Sequence, residues 1–266
     1  MQWPAWLKTK GRRRREARSR PFPDTWRAYL AKWVHYYNWL PPEDQAELEG
    51  HIHVFLDAKH FEGCGGMTVD DEVRVAVAGW ASVLCLHRET DYYPILVSVL
   101  VYPDTFMAQG EQEAPGGVVV EDPDARDGES WDRGAVIIAW ESLAEAREEG
   151  APCNVAIHEF AHQLDLENGE YDGVPGLEDA ELHEEWLRVC EHEFKRLADA
   201  ADTGRETVLD PYGASDPAEF FAVVTEAFFE TPLALRDKHP RLYKVFSRYF
   251  RQDPAVLEAR ASSKPA

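Results

Sequence analysis

The 266-residue sequence predicts an α+β fold on three observations. Apolar residues recur at helical spacing through the first third of the chain and again from residue 154 onward. Two short β-branched segments, PILVSVLVYP and GAVIIAW, lie between them. A hydrophobic content of 44% over this length is enough to bury a substantial core. The four cysteines (Cys64, Cys85, Cys153, Cys190) are widely spaced without a CxxC pair, which points to reduced thiols. No apolar run approaches the roughly 20 residues of a bilayer span. The N-terminus lacks an apolar leader, so a cytoplasmic location is the expectation.

Residues 1–20 carry eight Lys or Arg against one acid and read as a solvated, partly disordered basic tail, able to touch a membrane surface, RNA or an acidic partner. The remaining residues hold 20 basic against 48 acidic side chains, so the body repels nucleic acid. Residues 21–266 read as a single unit, with a helical portion over 21–90 and an α+β portion over 91–266. PFPDTWRAYLAKWVHYYNWLPP predicts a helix capped by Asp24 and stopped at Pro41 and Pro42. EDQAELEGHIHVFLDAKHF predicts a second, ended by EGCGG. DDEVRVAVAGWASVLCLH predicts a third, capped by Thr68. The two β-branched segments make a small mixed or antiparallel sheet, and the acidic, Gly/Pro-rich stretch between them reads as loop with one short strand at GVVVE. NVAIHEFAHQLDLENG, LEDAELHEEWLRVCEHEFKRLADAAD, DPAEFFAVVTEAFFETP and HPRLYKVFSRYF close the chain as helices.

The first of these, from Asn154 as cap to Gly169 as stop, carries the chemistry. His158 and His162 are four apart, so both project from one face and can present a ring nitrogen to the same metal ion. Glu159 sits about 100° around from His158, where a carboxylate can deprotonate a metal-activated water without being a ligand. The apolar residues between them bury the helix and fix the polar triad at a cleft. A catalytic zinc site takes three protein ligands and leaves one position open. The extended pattern HExxHxxGxxH is absent, and Asp165, about 10 Å further along the helix, suits orienting a ligand or neighbouring backbone. Glu219 and Glu226 stand in AEFFAVVTEAFFE, where a carboxylate among so many aromatic and aliphatic side chains needs a partner. They are seven apart on one face, one suited as ligand and the other as support for a histidine; spacing does not decide which.

HEFAHQLDLENG followed by DPYGASDPAEFFAVVTEAFFETP resembles the Mlc titration factor family of bacterial zinc peptidases, with a gluzincin-like site related to that of anthrax lethal factor. RPFPDTW, VFLDAKHFEGCGG, DEVRVAVA, VYPDTF and GAVIIAWES extend the likeness over roughly residues 20–252. The resemblance implies a zincin-like fold, one Zn2+ held by His158, His162 and Glu219, Glu159 as general base and Tyr212 as a hydrogen-bond donor to the oxyanion. It further implies aminopeptidase-like hydrolysis of a peptide or protein substrate, a transcriptional repressor as partner and a link to sugar uptake. GAVIIAW offers an edge for an extended peptide.

Two other readings stand beside it. A regulator that sequesters a repressor needs no water-activating carboxylate, so Glu159 discriminates against it. A cysteine hydrolase built on Cys153 lacks a clearly placed histidine. His51, His53 and His60 read as a partly exposed helix face, as do His183, His192 and His239. Tyr36, Tyr37, Trp39, Tyr92 and Tyr93 read as core or rim packing.

Overall fold

A computed structural model of the chain describes residues 9–104, 134–146, 153–177 and 179–263. The N-terminal helices are α1 (Lys10–Arg18), α2 (Asp24–Trp33), α3 (His35–Trp39) and α4 (Pro42–Ala58), followed by strand β1 (His60–Gly63) and helix α5 (Asp71–Val83). Strands β2 (Ser98–Tyr102) and β3 (Ala135–Ala139) complete a three-stranded sheet of order β1-β2-β3. Then come α6 (Trp140–Glu145), α7 (Val155–Asp165), α8 (Ala180–Thr203), α9 (Pro217–Glu230), α10 (Pro232–Lys238), α11 (Pro240–Phe250) and α12 (Pro254–Ser262). The α+β class holds.

Both strand pairs are parallel, with His60 opposite Ser98 and Ser98 opposite Ala135, in place of the mixed or antiparallel sheet expected. Parallel neighbours need a crossover, and α5 supplies the one between β1 and β2. β1 falls where the sequence suggests the end of the second helix. That helix stops at Ala58 because His60 N–H donates to Val97 O at 3.0 Å, and the buried Lys59 Nζ donates to the carbonyls of Tyr93 (2.6 Å) and Leu96 (2.7 Å). Sheet pairing wins over helical continuation there. GVVVE lies outside the described residues.

The first expected helix is two, α2 and α3, broken at Val34. The Trp33 carbonyl freed by the break accepts from Trp80 Nε1 at 3.2 Å. Gly79 lets α5 come this close: a Cβ there would stand 2.8 Å from both Leu30 Cδ2 and Val34 Cγ2. The cap of α5 is Asp70, whose carboxylate accepts from Val73 N, and not Thr68. Helices α6, α10 and α12 go beyond the elements read from sequence; α10 and α12 each begin on a proline that fixes φ without sacrificing a needed donor.

Residues 10–18, read from sequence as part of a solvated, partly disordered tail, form helix α1, most of whose residues are exposed. Thr9 caps α1, Ala17 is buried beside Val54 and Tyr92, Arg18 Nε donates to Tyr92 Oη at 2.9 Å, and Arg14 donates to the Asp91 carbonyl at 2.6 Å. Lys10, Arg14 and Arg18 find their acceptors at residues 91–92. His51 and His53 are buried and not on an exposed face, His51 hydrogen-bonding Tyr92 and Glu47. His239 is likewise buried, its Nδ1 donating to Glu193 at 2.7 Å. The tyrosines and tryptophan read as packing are all buried.

One continuous core joins these elements, and α9 runs through it with every residue from Ala218 to Glu230 buried. Aromatic and aliphatic residues on every side place it in the interior, where its buried Glu219, Glu226 and Glu230 need partners. Among the described residues no helix is long and apolar enough to cross a membrane.

His35 carries a pH prediction. It packs edge-on against Trp39 and Trp80, neither ring nitrogen is hydrogen-bonded, and burial lowers its pKa to about 4. Its folded pKa lies below the unfolded value, so the unfolded chain binds the extra proton, and stability is full above pH ~6.5 and lost as pH falls toward 4. Denaturant unfolding of the parent should lose about 2 kcal/mol more between pH 7 and pH 5 than His35→Phe does.

Candidate metal centre

Two helices that pack against each other supply the polar cluster. The Asn154 side chain caps α7, accepting from Ala156 N and Ile157 N at 3.2 Å, and the apolar face of Val155, Ile157, Phe160 and Leu164 pins the helix in the core. The Asp216 side chain caps α9, accepting from Ala218 N and, at 3.0 Å, from Glu219 N itself. Both caps therefore set the helical register of residues that face the cluster.

His158 Nε2 and His162 Nε2 lie 3.1 Å apart; Glu219 Oε2 is 3.0 Å from His158 Nε2, and Glu219 Oε1 is 3.5 Å from His162 Nε2. All three residues are buried. Zinc–nitrogen and zinc–oxygen bonds of about 2.0–2.2 Å in tetrahedral geometry separate ligand atoms by about 3.3 Å, and the three distances bracket that value. Glu219 Oε2 makes no hydrogen bond despite its closeness to an imidazole. The two ring nitrogens can share at most one proton between them, and with an unpartnered carboxylate oxygen beside them they fit a shared cation better than one another. The donor set suits a metal ion.

Glu226, two turns along α9 from Glu219, lies behind His158. Its Oε1 accepts from His158 Nδ1 at 2.7 Å and its Oε2 from Asn154 N at 2.6 Å, while Asn154 Nδ2 donates to Glu230 Oε1 at 2.6 Å. The two glutamates that sequence spacing leaves equivalent thus stand on opposite sides of one imidazole, Glu219 at Nε2 and Glu226 at Nδ1. Burial alone would lower the His158 pKa, but the carboxylates of Glu219, 3.0 Å from Nε2, and Glu226, hydrogen-bonded at Nδ1, outweigh it and raise it to about 10. Against its own burial, Glu219 is held down at about 2 by His158 and His162. Burial keeps His162 below the usual histidine range.

Glu159 is set apart. Its Oε1 is buried without a hydrogen bond, and burial, seconded by the charges of Glu219 and Glu226, pushes its pKa up to about 8. A carboxyl group poised near neutrality is suited to taking and returning a proton. Tyr212 is 47% exposed on the 3-10 turn Pro211–Ala214, its ring centre 6.3 Å from that of His158, at the rim and not in the donor set. Asp165 Oδ2 accepts from Gly173 N at 2.9 Å, holding loop backbone at the end of the helix.

Sequence reasoning passes over Tyr171, whose Oη is 2.8 Å from His162 Nδ1; it belongs to a loop without periodicity, so nothing in its spacing marks it. A cavity of about 780 Å³ opens beside His158, lined by Val155, Leu209, Tyr212, Val223 and Glu226 among others. Cys153 also lines it; although the residue is exposed, desolvation of its thiol and the neighbouring Glu226 push that thiol well above the usual range, which makes it a poor nucleophile. Asp44, Glu47 and His87 form a second cluster of metal-ligating groups, in which Glu47 (3.1 Å) and Asp44 (3.5 Å) already bracket the two ring nitrogens of His87. Those contacts, together with the hydrogen bond of Glu47 to His51, already engage the polar groups of that cluster with protein partners.

The profile of the family described as glucose-regulated metallo-peptidase M90 matches residues 8–251. An uncharacterized protein of Synechocystis sp. is 40% identical over 259 residues, spanning 96% of this chain and 92% of its own. The Mlc titration factor A of Serratia proteamaculans is 29% identical over 231 residues (85% of this chain, 87% of its own). That of Pectobacterium atrosepticum is 35% identical over 159 residues, 59% of each chain.

Glu226 accepts one N–H on each carboxylate oxygen, and a glutamine would put an NH2 donor at one of those two positions. Glu226→Gln should therefore weaken metal binding by about 10–100-fold, measured by competition with a chelator. Unchanged affinity would detach Glu226 from the centre.

Proposed function

The chain belongs to the glucose-regulated metallo-peptidase M90 family, and from that premise we propose that it is a zinc-dependent peptidase in which His158, His162 and Glu219 hold one Zn2+ and Glu159 is the general base. The observation that carries this reading is the buried, unpartnered Oε1 of Glu159 beside a convergent trio of donors. A site built only for structure has no use for a second, idle carboxylate.

When bound, zinc supplies Lewis acidity to polarise the scissile carbonyl and acidify water. The remaining work falls to the chain. Glu159 takes a proton from the attacking water and passes it to the leaving amine, the raised pKa of its metal-free form being in keeping with a group that must both accept and release. Tyr212, at the rim beside His158, donates a hydrogen bond to the oxygen that becomes negative in the tetrahedral intermediate. β3 is one of the two outer strands of the described sheet and the one that packs near α7, which supports its use as an edge for an extended peptide. The cavity beside His158 receives a substrate side chain. Its lining, which includes Asp210, makes it the place where we seat the N-terminal residue of a substrate in aminopeptidase-like cleavage.

From the relatives named Mlc titration factor A we propose a second role, binding of an Mlc-type partner; that the partner is a transcriptional repressor, with a consequence for sugar uptake in a cytoplasmic setting, is our extension of the family resemblance. Catalysis and sequestration separate at Glu159, which the second role does not need.

Glu159→Gln should keep its zinc and lose about 10²–10⁴-fold in peptide hydrolysis, read from metal content and turnover on the same samples. Equal turnover in the two proteins would remove the peptidase reading. Tyr212→Phe should lower kcat by about 10²–10³-fold at unchanged zinc content.

A further inference from the structure

The loop that follows α7 is fastened to its surroundings at several points. Asp165 accepts from Gly173 N at 2.9 Å, Asn168 Nδ2 donates to Val174 O at 2.8 Å, and Trp186 Nε1 donates to Gly173 O at 3.2 Å. Gly173 has φ +76°, and a Cβ there would stand 2.2 Å from Pro217 O, so the loop backbone lies directly on the first turn of the helix that bears Glu219. Both ligand-bearing helices are thereby tied to one short segment. Tyr171 sits inside it, with Oη 2.8 Å from His162 Nδ1 and its ring centre 5.1 Å from the imidazole. Among the described residues it is the hydrogen-bond partner of that nitrogen.

A neutral imidazole has one N–H and one lone pair, and a metal takes the lone pair. For His162 Nε2 to serve the cluster, the proton must reside on Nδ1 and find an acceptor there. We propose that Tyr171 is a positioning residue for His162: its hydroxyl oxygen accepts the Nδ1 proton, so that the Nε2 lone pair faces His158 and Glu219. Glu226 plays the corresponding part for His158, and the two supports differ in kind, one a charged carboxylate and the other a neutral phenol. This inference rests on the reading of His158, His162 and Glu219 as metal ligands. Tyr171 is 44% exposed, so its hydroxyl can be removed with little effect on the packing of the fold.

The test compares parent, Tyr171→Phe and His162→Gln as full-length proteins. Zinc affinity is measured by chelator competition, the visible spectrum after cobalt substitution, and thermal unfolding without metal. Tyr171→Phe is expected to bind zinc about 10–100-fold more weakly than the parent, with a changed cobalt spectrum and an unchanged metal-free unfolding midpoint. Equal affinity and equal spectra in parent and Tyr171→Phe overturn the proposal while leaving the ligand reading in place. So does an affinity loss that comes with a lowered metal-free midpoint, which would assign the hydroxyl to loop stability. A parent that takes up no zinc, or a His162→Gln variant that binds as tightly as the parent, overturns the ligand reading and the proposal with it.

Discussion

The centre depends on one buried hydrogen-bonded knot, Glu226 with Asn154 and His158. A single carboxylate receives the backbone N–H of the residue that caps α7 and the ring N–H of the first histidine on that helix. Asn154 meanwhile uses its oxygen to cap α7 and its amide to reach Glu230. The start of one helix is thus bolted to the second half of another, and the angle between them follows. A buried carboxylate that satisfies two donors with good geometry is stable; one that lost either would be left with an uncompensated desolvation cost of several kcal/mol.

That constraint explains why so much charge is tolerated in an aromatic interior. Glu219, Glu226, Glu230, His158 and His162 are all buried on two adjacent helices surrounded by phenylalanines. The neighbouring carboxylates raise the pKa of His158 against its own burial, and Glu226 holds its Nδ1 side at 2.7 Å. Rigid packing on all sides keeps the donor atoms within a narrow range of separations.

Much of this was readable from residue types and spacing. The i, i+4 histidines, the adjacent glutamate and the asparagine cap all depend on local periodicity, and α7 forms where that periodicity lies. The presence of two glutamates in an apolar helix signalled partners, but their different tasks depend on how α9 crosses α7, which no local pattern encodes. The same limit applies to β1: HFEG looks like a helix end until a strand arrives beside it, forty residues later, to pair with it. Tyr171 and the parallel direction of the sheet were illegible for the same reason, being products of chain crossings. The arginine-rich start misled in the opposite sense, since its composition suits disorder and its order comes from acceptors at residues 91 and 92.

Helix α1 therefore acts as a lid over a seam. With Ala17 in place, Val54 and the Tyr92 ring are shielded, and the phenol of Tyr92 bridges Arg18 to the buried His51 on α4. Trimming the chain at residue 20, as one would trim a floppy leader, would strip a greasy contact and a cationic clasp together, leaving a wet imidazole where a dry one had been. The basic stretch is masonry, and whatever it touches outside the protein must be touched by the face that the wall leaves showing.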